Sequence, residues 1–72
     1  MHPLHHKTDQ VRHYIETTDR LLDAVPHLSP RQATFFLLHF DSCFIRATGR
    51  EPTDTQRMLI AAALRRVVQA NA

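Results

Sequence analysis

Between Ser29 and Gly49 the apolar residues fall on two sides of a helix rather than one. Drawn at about 100° per residue, Ala33, Phe36, Leu37, Phe40, Cys43, Phe44 and Ala47 gather on one face. Phe35, Leu38 and Ile45 line a second face roughly opposite, with the small Ser42 between them. A helix on the surface of a small domain needs one apolar stripe and leaves its other side wet. The spare stripe therefore predicts contact with something outside the monomer, the competing use being a middle helix that satisfies two neighbours of its own.

The ends of this segment are marked. Ser29-Pro30-Arg31-Gln32 supplies a hydroxyl N-cap, a proline at the first helical position and a glutamine placed to close a capping box. Gly49, the only glycine, stands where a left-handed C-cap belongs, and Arg46 lies in the last turn. One continuous helix is expected between them.

Upstream, Val11, Tyr14, Ile15, Thr18, Leu21, Leu22 and Val25 recur at spacings of three and four, which predicts a first helix from an N-cap near Thr8 to the block at Pro26. Downstream, Thr53-Asp54-Thr55-Gln56 repeats the capping-box pattern after Pro52. A third helix then runs to about Ala70 with Ile60, Leu64, Val67 and Val68 as its main stripe, broadened by Leu59, Ala61 and Ala63. The connections at His27-Leu28 and Gly49 to Pro52 are short and suit antiparallel neighbours. The expected fold is all-α: a small three-helix unit of helical hairpins over residues 8–72, with the second helix as its spine and the first helix on that helix's larger face. Residues 1–7 are expected to be a flexible His-rich tail.

A chain of 72 residues builds one thin core. Small scaffolds lean on disulfides, a metal or oligomerisation, and the single Cys43 leaves no internal disulfide. Assembly as a homodimer through the central helix is therefore expected, with Phe35, Leu38, Ser42 and Ile45 as the self-association set. An opened variant, in which the second and third helices pair with those of another subunit, satisfies the same pattern. The longest uncharged stretch, Gln32 to Phe40, is about half of a membrane span, and Met1 to Lys7 lacks the apolar core of a signal peptide. No membrane association and a cytoplasmic location are the expectations.

Charge adds a mild asymmetry. Residues 1–30 carry Lys7, Arg12 and Arg20 against Asp9, Glu16, Asp19 and Asp23, a net of 3 − 4 = −1; residues 31–72 carry six arginines against Asp41, Glu51 and Asp54, a net of 6 − 3 = +3. That excess is too small to mark a nucleic-acid footprint by itself. Arg46, Arg50, Arg57, Arg65 and Arg66 around the third helix nevertheless make a helix-turn-helix-like DNA-binding regulator the alternative reading.

Candidate chemistry is sparse. His2, His5, His6 and His13 could ligate a first-row metal, but no folded fourth ligand completes a site, so no metal is expected. His39 and Cys43 lie one turn apart, yet Cys43 falls in the larger apolar stripe and is expected to be a buried structural thiol. Ser42 has no triad partners at arguable positions, and a single glycine makes no phosphate-cradling loop. The expectation is a non-enzymatic protein without cofactors that acts by protein–protein interaction: an adaptor or an inhibitor of the anti-activator type, acting on a transcription factor or another bacterial or phage-host protein. It is similar in broad type to the compact regulators carried by phages and other mobile elements, with no motif that names a family. Tyr14, Arg46, Arg50, Arg57 and Arg65 are the expected client-binding residues.

Overall fold

A computed structural model describes residues 3–70, with side chains from residue 9 onward. Every regular element among them is helical: α1 over Pro3–Ala24, a 3₁₀ turn over Val25–His27, α2 over Pro30–Leu38, α3 over Phe40–Thr48 and α4 over Asp54–Ala70. The all-α expectation holds, but the helices number four rather than three. No described helix is long and apolar enough to cross a membrane.

The first helix begins at Pro3 rather than at the expected Thr8 and ends one residue before Val25, where Pro26 converts the chain to a 3₁₀ turn. Both capping boxes form. The Ser29 hydroxyl accepts from the Gln32 N–H at 3.1 Å while the Gln32 side chain accepts from the Ser29 N–H at 2.9 Å. At α4 the Thr53 hydroxyl accepts from the Gln56 N–H at 3.1 Å, and Gln56 Oε1 accepts from the Thr53 N–H at 3.0 Å. Each box satisfies two donors that a helix start leaves unpaired.

The expected continuous helix from Ser29 to Gly49 is broken at His39, whose φ of −122° and ψ of 46° lie outside the helical region. The His39 N–H still reaches the Phe35 carbonyl and the Cys43 N–H reaches the His39 carbonyl, each at 3.0 Å. Neither glycine nor proline marks the spot; tertiary packing does. The Pro30–Leu38 segment lies along α4, whereas the end of α3 turns toward α1, with Ala47 and Thr48 bordering a groove beside Thr17, Leu21 and Ala24. A straight rod follows one neighbour, and the bend lets this segment follow two.

The spine is α4, not the second helix, because α1, the 3₁₀ turn and α2 all rest against it. Its Ile60 and Leu64 are fully buried and Ala61 nearly so. They meet Val25, Ala33, Phe40 and Phe44 to form the buried apolar core among the described residues. Phe36 meets Phe40 edge-on at 5.3 Å between centroids, and Phe40 stacks with Phe44 at 6.1 Å. The first helix docks on α4 instead of on the larger face of the second, with Leu21 and Leu22 packed against the core and a polar pair beside them. Buried Gln56 donates through Nε2 to buried Thr18 at 2.9 Å, and Thr18 in turn donates to the Tyr14 carbonyl at 2.7 Å. With Tyr14 level with Thr53 and Leu22 level with Ala63, α1 and α4 run parallel, and the α2–α3 segment returns antiparallel between them. The first half of α1 thus projects beyond the start of α4, which gives the molecule extents of 52 × 19 × 17 Å.

Candidate interaction surface

The spare stripe of the sequence is exposed in the monomer. Leu38 shows 74% of its surface to solvent, Phe35 58% and Ile45 40%. Their lack of cover follows from the packing: α2 spends Ala33 on the core and α3 spends Phe40 and Phe44, which leaves the opposite sides of both helices without an intramolecular neighbour. An unfavourable exposure of this size is uncommon for three large apolar side chains in so short a segment.

The break at His39 redistributes these residues. Phe35 lays its ring against His39, with centroids 4.7 Å apart, and borders an apolar groove of about 340 Å³ shared with Leu28, Phe36 and Cys43. Leu38 and Ser42 border a separate concavity of about 380 Å³ beside Asp41 and Arg57. The straight stripe required an unbroken helical phase, and His39 interrupts that phase. Cys43 is half-buried at the wall of the first groove rather than sealed in the core, and Ala47, placed on the larger face by the helical wheel, is exposed.

The residues expected at a client surface are dispersed. Arg57 is engaged: it forms an ion pair with Asp41 and places its guanidinium 5.6 Å from the centre of the Phe40 ring. Both members of the ion pair are well exposed, at 44% and 59%, so the pair itself contributes only a few tenths of a kcal/mol. Arg46 sits exposed in the last turn of α3, and Arg65 is exposed on α4. Tyr14 and Arg50, by contrast, are brought together in a cleft of about 340 Å³ where α1, the end of α3 and the start of α4 meet.

That cleft adds Glu51, together with His13 and Thr53, which the sequence offered only as a metal candidate and a helix cap. No periodicity could have found them, because the contact is made across the parallel α1–α4 pair by residues 39 positions apart, Tyr14 and Thr53. Three apolar residues that the periodicity placed on packed stripes, Val11, Ile15 and Leu59, are exposed instead. Val11 and Ile15 extend the α1 stripe into solvent at 56% and 51%, and Met58 and Leu59 stand out from α4 at 70% and 46%.

The side chains of His2, His5 and His6 lie outside the described residues. Among those described, no group of three histidine, cysteine or acidic side chains is placed to hold a metal. His39 turns its ring onto Phe35 one turn before it. No family model, curated protein or solved structure matches the chain.

Proposed function

We propose that this chain is a small non-catalytic binding protein that works as a homodimer and regulates a client protein by occupying its surface, as an adaptor or inhibitor. The exposure of Phe35, Leu38 and Ile45 around the α2–α3 junction carries the reading. Transfer of such side chains from water into an interface contributes about 1.5 to 3 kcal/mol each, which is large beside the stability of a small domain. The self-association surface is then centred on the bend rather than spread along one rod, with Ser42 beside Leu38 as the small residue that lets a second backbone approach. Away from the bend, Arg46, Arg50 and Arg65 are exposed and Tyr14 is half-buried. They are the residues assigned to the client.

Light scattering on the purified chain tests the dimer directly. The expected mass is that of two chains at micromolar concentration, falling to one chain for Leu38→Asp with an unchanged far-ultraviolet circular dichroism spectrum. A single-chain mass for the wild type, or a Leu38→Asp mass equal to that of the wild type, rules out the assignment. Affinity capture from a native host, run in parallel with an Arg46→Ala/Arg50→Ala/Arg65→Ala variant, tests the client surface. A client retained equally by both removes those arginines from it.

A further inference from the structure

The cleft holding Tyr14 and Arg50 has the makings of a small-molecule site, and self-association plays no part in the argument. One wall is rigid. Gln56 is only 4% exposed, and its side chain is held at both ends, by the Thr53 N–H and by the Thr18 hydroxyl. The Thr53 hydroxyl accepts from the Gln56 N–H and donates to the Tyr14 phenol at 3.5 Å. At 3.5 Å this last contact is loose, so the Tyr14 O–H can turn to donate to a group in the cleft. Arg50 also lines the cleft, and its backbone is held by Thr48: its N–H donates to the Thr48 hydroxyl at 3.3 Å, next to the left-handed cap at Gly49. Among the described residues the side chains of Arg50, His13 and Glu51 have no hydrogen-bond or ion-pair partner.

The unpaired groups define a chemistry. A phenol O–H and a guanidinium fork are suited to one carboxylate, since the fork can bind both of its oxygens. Glu51 beside them disfavours a multiply charged anion such as phosphate and offers a partner for a cation. The one formal positive charge and one formal negative charge on the lining balance. A volume of about 340 Å³ is at the small end of ligand sites. We propose that this cleft binds a small zwitterion of the α-amino acid class, its carboxylate on Arg50 and Tyr14 and its ammonium facing Glu51.

The test is a titration of the isotope-labelled full chain with individual L-amino acids, followed by amide chemical shifts, with propionate and butylamine as single-charge controls. Saturable shifts are expected at Tyr14, Arg50, Glu51 and Thr53 for at least one amino acid, with binding tighter than that of either control. Both Tyr14→Phe and Arg50→Gln keep the dispersed spectrum; Tyr14→Phe weakens that binding about tenfold, the loss of one hydrogen bond to a charged group, and Arg50→Gln, which removes the two-pronged contact and its charge, weakens it more. Glu51→Gln weakens the amino acid but leaves propionate unchanged. Absence of saturable shifts for every amino acid overturns the proposal. So does binding no tighter than that of the controls, or binding indifferent to Tyr14→Phe and Arg50→Gln.

Discussion

Gln56 does two jobs with one amide. Its carbonyl end closes the cap of α4 on Thr53, and its NH₂ end bonds Thr18 inside the α1–α4 interface. Truncating its partner separates the two. Thr18→Val keeps the shape of a buried residue that is 6% exposed but leaves Gln56 Nε2 without an acceptor. The desolvation penalty for such an orphan is about 1 to 3 kcal/mol, so the urea midpoint is expected to fall with no change in the slope of the transition. Adding Gln56→Leu to Thr18→Val removes the orphan, and the double variant is expected to lose less than the two single losses combined. Strict additivity would show that the bond contributes nothing of its own. Thr18 was legible as part of an α1 stripe and Gln56 as part of a cap. That they bond each other was not, because neither pattern carries information about residues 38 positions away.

Helix ends obey local chemistry, and the bend does not. Ser29, Pro30 and Gln32 mark the start of α2, and Gly49 marks the end of α3 with a φ of +79°; both were readable because caps are made by neighbours in sequence. Nothing within four residues of His39 announces a break, since the cause lies in α1 and α4. The apolar surplus of Phe35, Leu38 and Ile45 was legible, while the separation of Phe35 and Leu38 into two concavities needed the bend. Gly49→Ala tests the cap alone: a Cβ there meets open space, so only the left-handed backbone resists it. The expected cost is about 1 kcal/mol, read from thermal unfolding. A neutral result would mean that α3 does not end as described.

At the scale of the molecule, seven buried apolar residues among those described constitute the core, two of them alanines. Phe44→Ala removes the largest of the fully buried side chains, and a loss of about 3 to 5 kcal/mol is expected to leave the chain unfolded or nearly so by circular dichroism. If the exposed apolar residues close on a second copy, stability is shared with assembly. The thermal midpoint is then expected to rise with protein concentration in the wild type and to stay constant for Leu38→Asp. A concentration-independent midpoint in both proteins argues against the dimer from a different direction than mass does. The bend at His39 bears on how such a molecule opens. The N–H groups of Phe40, Asp41 and Ser42 begin a new helix and have no partner one turn back in α2. Three amides in the middle of the chain thus lack an intrahelical bond that would resist local opening. Loosening can spread outward from the centre, so limited proteolysis is expected to cut near residues 38–42 before it reaches the interior of α4.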